Sequence, residues 1–309
     1  MPKMNKFKIF ISFLLICSLL FPLTPHKISA SINEPNNSIQ KSSKQIYLVR
    51  DNDTYDILPS KFRKSSDLQT IANNDEINLT GLENLNISGS QQFSKMNLPI
   101  LLKAIDTKLP VIIFDLRQES HGFINGIPIS FESEKNNANE GLSNSEVIKK
   151  EKAQLDSIKI GVPISFHNDP KQTITPKEVF DEQTLATSND LGYKRIFATD
   201  EVLPSPEVID SFVSAIKDLK KETWLHFHCK EGIGRTTSFM IFYDMMKNYN
   251  DVSAEDIINR QINLPDFDID DIELLSTMRR ADLYNSFYNY CTKYGPDFNT
   301  NFSQYINSL

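Results

Sequence analysis

The stretch His228-Cys229-Lys230-Glu231-Gly232-Ile233-Gly234-Arg235-Thr236 decides how the rest of the chain is read. Residues 224–228 (WLHFH) lead into it and read as a strand. Residues 236–247 (TTSFMIFYDMMK) follow and read as a helix apolar on most faces. A loop entering a helix N-terminus turns several backbone N–H groups into one hollow that favours an anion. The N–H groups of Lys230, Glu231, Gly232, Ile233 and Gly234 would line it, and the two glycines lack the Cβ atoms that block tight curling. Arg235 adds a planar fork matched to two phosphate oxygens. Cys229 stands at the base of the hollow, where the helix end and the cation favour the nucleophilic thiolate. Thr236 can donate a hydrogen bond to its sulfur, and His228, directly before the cysteine, is counted with them among the catalytic residues. An inert core cysteine needs neither an arginine six positions on nor two glycines between. A Walker loop is excluded, because the required Lys is missing.

Outward from the loop, strands alternate with helices, which predicts an α/β fold with mostly parallel pairing. Residues 46–49 begin the folded part. Residues 109–116 (LPVIIFDL) read as a buried strand, and residues 157–166 and 193–198 as two more. Ser143 with Glu146 offers a capping box for a helix through about Leu155. Ser205-Pro206-Glu207 is a helix start, with Val208, Ile209, Phe212, Ile216 and Leu219 at helical spacing. Ser253 caps another helix, and residues 274–294 supply one or two more, with Tyr284, Phe287, Tyr288, Tyr290 and Cys291 read as core.

The chain has 309 residues, 33 Lys+Arg against 40 Asp+Glu and a net charge of −7. No basic excess exists to neutralise phosphates, so no nucleic-acid partner is expected. Lys3, Lys6 and Lys8 precede the apolar run 9–21 (IFISFLLICSLLF), and Ile28-Ser29-Ala30 offers a small-residue cleavage site. Residues 1–30 therefore read as a secretory signal peptide, too short to span a bilayer at roughly 20 residues. Residues 31–45 read as a flexible leader. The expected mature protein is secreted or extracytoplasmic, without a stable membrane anchor. Cys17 leaves with the signal, so Cys229 and Cys291 do not make a disulfide scaffold. The scattered histidines give no zinc spacing, and the acids at 266–271 lack the Gly and Glu of a calcium loop. No metal or cofactor is expected.

His-Cys-x5-Arg-Thr is the signature of the cysteine-dependent phosphatases, and more of the chain resembles one branch of them. Asp115-Leu116-Arg117-Gln118-Glu119-Ser120-His121-Gly122 resembles the DLRQESHG segment of bacterial protein-tyrosine-phosphatase-like phytases. Ala198-Thr199-Asp200 and residues 204–210 (PSPEVID) resemble their general-acid loop, and Pro59-Ser60-Lys61-Phe62-Arg63 their segment bearing a substrate-binding Arg. The resemblance implies a phosphatase domain at 46–126 and 195–309, with a small β-rich subdomain inserted at 127–194. It implies that Cys229 attacks phosphorus, that Asp200 is acid and then base, and that Arg235 holds the phosphoryl oxygens. Asp115, Arg117, Glu119 and His121 read as supporting residues that brace the site. Arg63, His167 and Lys171 read as contacts to further phosphates. The implied substrate is an inositol polyphosphate. Asp266, Asp268, Asp270 and Asp271 stand where phytases bring Lys toward the substrate, and these acids would repel one. A phosphotyrosine protein is therefore the alternative, although the Asn-Arg-Tyr segment of those phosphatases is not found. An inactive phosphate-binding module is the remaining one.

Overall fold

The computed structural model describes residues 45–309 apart from 53–55, 71–76, 135–136 and 220. The signal peptide expected at residues 1–30 and residues 31–44 of the expected leader lie outside the described residues. In chain order the elements are β1 (Tyr47–Arg50), β2 (Arg63–Lys64), β3 (Ile87–Gln91), α1 (Leu98–Ile105), β4 (Val111–Asp115), β5 (His121–Ile124), β6 (Ile127–Glu132) and α2 (Asn144–Asp156). Then come β7 (Ile164–Phe166), β8 (Asp169–Ile174), β9 (Val179–Phe180), α3 (Glu182–Thr187), β10 (Gly192–Arg195) and α4 (Pro206–Lys217). The last are β11 (Trp224–Cys229), α5 (Gly234–Asn248), α6 (Ala254–Asn263), α7 (Ile269–Leu275), α8 (Met278–Tyr294) and α9 (Phe302–Ile306).

One sheet runs β10-β4-β11-β3-β2, parallel except at β2. Every residue of β11 is buried, as its apolar and aromatic run requires of a central parallel strand. Its register sets His228 beside Asp115 and Cys229 beside Gln91, so the site forms at the carboxyl ends of the strands. The backbone then passes through Gly232 into α5, which is buried on nearly every face. On its outer side Phe242 packs 4.7 Å from Phe287 of α8, and Tyr290 and Phe302 extend the aromatic layer. Each such side chain contributes about 2–3 kcal/mol of burial, which holds α5 rigidly behind the loop.

The local signals produce their elements. Ser205 caps α4 by accepting from Val208 N–H, with Pro206 in its first turn. Ser253 caps α6, and Ser143 and Glu146 form a capping box on α2. Of residues 157–166 only Ile164–Phe166 is a strand, paired with β8. The segment before it is turn and bend with Ile160 and Val162 exposed, so its apolar content marks surface. A second sheet, β1-β6-β5-β9, is antiparallel. It takes β1 and β5 from before residue 127, while β10 at 192–195 belongs to the main sheet. The β-rich portion is therefore not confined to 127–194.

Candidate active site

Cys229 closes β11 with its side chain 3% exposed. Its Sγ accepts from Gly232 N–H at 3.3 Å and from Thr236 Oγ1 at 3.2 Å. Both bonds place donors on the sulfur and fix its position at the base of the loop. Gly232 has φ +76°, and a Cβ there would stand 2.3 Å from Gln91 N. No other residue fits that turn without moving β3. Ile233 and Gly234 carry the chain into α5, with Ile233 packed against Ile262, Phe267 and Leu275.

Arg235 is 5% exposed, and a single carboxylate orients it. Its Nη1 donates to Glu119 Oε2 at 2.6 Å and its Nη2 to Glu119 Oε1 at 2.9 Å. Nη1 also reaches Ala198 O at 3.2 Å, and Nη2 lies 3.0 Å from Asp200 Oδ1. Among the described residues its Nε has no hydrogen-bond partner. Burial opposes the charge, but Glu119 foremost and Cys229 beside it hold the guanidinium protonated. Arg235 thus fixes Asp200 and the thiol loop around one group.

Glu119 also accepts from Arg117 Nε at 2.8 Å. Arg117 is fully buried, donating to Asp51 Oδ2 at 2.8 Å, to Gln92 Oε1 at 2.7 Å and to Ser130 Oγ. Burial disfavours the charge on Glu119, yet Arg235 and Arg117 hold its carboxyl well below the usual range. Asp115 accepts from Arg117 N–H at 2.9 Å and Tyr193 Oη at 2.7 Å, and its Oδ2 lies 3.2 Å from Arg195 Nε and from His121 Nε2. Burial alone would lower the His121 pKa, but Asp115 outweighs it and lifts the imidazole to about 10. Asp115, Arg117, Glu119 and His121 are therefore one buried ion network beneath the loop.

Sequence reasoning missed the residues that complete this network, namely Asp51, Gln92, Ser130, Glu151, Arg195 and above all Glu182. Glu182 opens α3, is 1% exposed, and lies 2.6 Å from His228 Nε2 and 3.4 Å from His121 Nε2. Burial would raise its pKa, but His228 foremost pulls it to about 2. Asp181 caps this short helix by accepting from Thr184 N–H. His228 itself is a correction. Strand alternation sends its ring away from Cys229, against Phe93 at 5.2 Å and Glu182, so it supports β11 from behind. Asp115, His121 and Glu182 also bring ligand atoms within 4.8 Å of one another. Arg195 and His228 already stand against those carboxylates.

Arg63 is a second correction. It is 3% exposed, and its Nη groups donate to Lys61 O at 2.9 Å, Gly232 O at 2.7 Å and Thr237 Oγ1 at 3.0 Å. It braces the loop backbone instead of presenting its fork outward. Lys230 pairs with Glu132, and Glu231 is exposed beside it. His167 stacks on Tyr47 at 4.0 Å and lines a cleft of about 380 Å³ with Glu132 and Lys230. Lys171 is exposed on β8 and does not line that cleft.

A buried thiol that receives Gly232 N–H and Thr236 Oγ1, with Arg235 and Asp200 paired nearby at the carboxyl ends of a mostly parallel sheet, matches the arrangement expected of the cysteine-dependent phosphatases. The chain is similar to the protein-tyrosine-phosphatase-like phytases. Residues 114–247 match that family's model, described as inositol hexakisphosphate. The effector protein hopD2 of Pseudomonas syringae pv. tomato is 30% identical over 233 residues, 72% of this chain and 49% of that protein. Two solved structures of the enzyme from Mitsuokella multacida each cover 88% of this chain and 50% of theirs. The tandemly repeated phytase is 31% identical with a TM-score of 0.75. The complex with myo-inositol-(1,3,4,5)-tetrakisphosphate is 30% identical with a TM-score of 0.74. The phytase of Bdellovibrio bacteriovorus is 28% identical with a TM-score of 0.70, covering 89% of this chain and 100% of that one. The chain thus spans about half the length of hopD2 and of the Mitsuokella protein.

Proposed function

We propose that the chain is a phosphomonoesterase that hydrolyses inositol polyphosphates through a phosphocysteine. The observation that carries this reading is Cys229 Sγ receiving both Thr236 Oγ1 and Gly232 N–H while Arg235 spans Glu119 and Asp200. Sγ attacks phosphorus, the S–P bond forms and the P–O ester bond breaks. Asp200 gives its proton to the departing alkoxide. Asp200 then takes a proton from water, whose oxygen attacks phosphorus, and Cys229 leaves as thiolate with inorganic phosphate released. Arg235 and the loop N–H groups hold the equatorial oxygens in both steps. The substrate class is supported by the family match and by the inositol tetrakisphosphate bound in the Mitsuokella structure.

A second reading, hydrolysis of phosphotyrosine in proteins, is favoured by the acids opening α7 and by the pairing of Lys61 and Lys230 with carboxylates. Export is part of the proposal and rests on the lysine-led apolar run at residues 1–30. Initial rates on inositol hexakisphosphate and on a phosphotyrosine peptide, with Cys229→Ser as blank, test the reading. Higher kcat/KM on the inositol phosphate is expected. Preference for the peptide would replace the substrate class, and no turnover above the blank on either would overturn the enzyme.

A further inference from the structure

Lys61 stands at the edge of the phosphate loop. Its carbonyl and that of Gly232 share the same donor, Arg63 Nη1. The Phe267 ring lies 5.5 Å from Lys61 Nζ and 5.4 Å from Arg63 Cζ, and it packs in one cluster with Ile233 of the loop. Lys61 is also held in the left-handed region, at φ 57°. Its amine pairs with Asp271 of α7 and lies 4.0 Å from Asp268. Lys230, on the opposite flank of the loop, is paired with Glu132. Among the described residues Arg235 Nε has no partner, within a residue 5% exposed, and is the kind of donor a single phosphate takes up.

We infer that Asp268 and Asp271 determine specificity by holding Lys61 away from substrate, so that the site accepts one phosphate strongly and disfavours substrates crowded with further phosphates. This rests on the phosphatase reading above and narrows its substrate class to the inositol polyphosphates that carry fewer phosphates than the hexakisphosphate. A lysine already neutralised gives a second phosphate no net attraction, and exposed Asp266 and Asp270 add repulsion across the same lip. The Lys61 side chain is 23% exposed, that of Asp268 67% and that of Asp271 11%, so the Asp268 part of the effect is the one solvent salt reaches.

The test uses the full chain with Cys229→Ser, so that binding is read without turnover. Inositol hexakisphosphate and phenyl phosphate are titrated calorimetrically into this protein and into the same protein carrying Asp268→Asn and Asp271→Asn. Asn at position 268 keeps the cap that Asp271 N–H now donates to at 2.9 Å, and thermal melting confirms folding. The hexakisphosphate Kd should fall about tenfold, a change of ~1.4 kcal/mol, with phenyl phosphate changed less than twofold. Adding Lys61→Met should remove the gain, and raising salt to ~1 M should shrink it. An unchanged Kd, an equal gain on both ligands, or a gain that survives Lys61→Met would overturn the inference. Turnover of phenyl phosphate by the chain with Cys229 intact is measured alongside. Its absence would sink the phosphatase reading separately, while the binding comparison still decides the role of Lys61.

Discussion

Replacing Glu119 by Gln should uncouple Arg235 from its scaffold. Glu119 accepts two bonds from Arg235, at 2.6 and 2.9 Å, and one from Arg117 at 2.8 Å. Gln keeps the shape but has a single acceptor oxygen, and its NH2 must face a guanidinium donor. At least one charge-assisted bond is lost, worth about 1.5–3 kcal/mol. Two buried cations also lose their shared counter-charge, and breaking a buried pair costs about 3–5 kcal/mol in all. For a chain of this size each kcal/mol lowers Tm by roughly 2–4 °C, so a fall of about 10 °C is expected by circular dichroism. Arg235 would also be free to leave the phosphoryl position. Loss of about 2.7 kcal/mol of transition-state binding is roughly 100-fold in kcat/KM, measured at a temperature where the variant is folded. Arg117→Met should lower Tm with a smaller effect on kcat, because Arg117 does not reach Asp200 or the loop. A Glu119→Gln protein that kept Tm within about 2 °C and turnover within twofold would refute the reasoning.

Gly232→Ala should leave the fold in place, with normal far-ultraviolet dichroism, and abolish phosphate binding. Its Cβ would meet Gln91 N at 2.3 Å on a backbone at φ +76°; retained binding in calorimetry would contradict the loop geometry. Stability should be lost at both ends of the pH range. Glu182, lowered from 4.5 to about 2, contributes stability above pH 4.5 that fades as pH falls through 2. His121, raised from 6.5 to about 10, contributes stability below pH 6.5 that fades as pH rises through 10. Urea midpoints across pH should therefore lose part of their acid slope in Glu182→Gln and part of their alkaline slope in His121→Gln, and an unchanged slope in either would count against the network.

What could be read early was local. The strand, the two glycines and the cysteine–arginine spacing lie within one short stretch, and capping at Ser143, Ser205 and Ser253 acts over three residues. The buried network is different, because its partners lie far apart: Arg117 meets Asp51 across 66 positions and Arg235 meets Glu119 across 116. Glu182 could not be picked out, since an acid in the first turn of a short helix looks like dipole compensation until its burial is known. Arg63 was misread for the same reason: a basic residue near a phosphate loop suggests a ligand contact, and only its bonds to Lys61 O and Gly232 O show it facing the backbone. Residues 157–166 failed as a strand because exposed Ile160 and Val162 imitate a buried apolar pattern.

The central claim is a covalent bond from Cys229 to phosphorus, and trapping that bond tests it most directly. Protein carrying Asp200→Asn, mixed with phosphorylated substrate and quenched in acid, should yield a peptide phosphorylated at the Cys229 sulfur in near-stoichiometric amount by mass spectrometry. Cys229→Ser should yield none and show no turnover. Turnover that persists in Cys229→Ser, or runs in the intact chain without any phosphocysteine, would contradict the account.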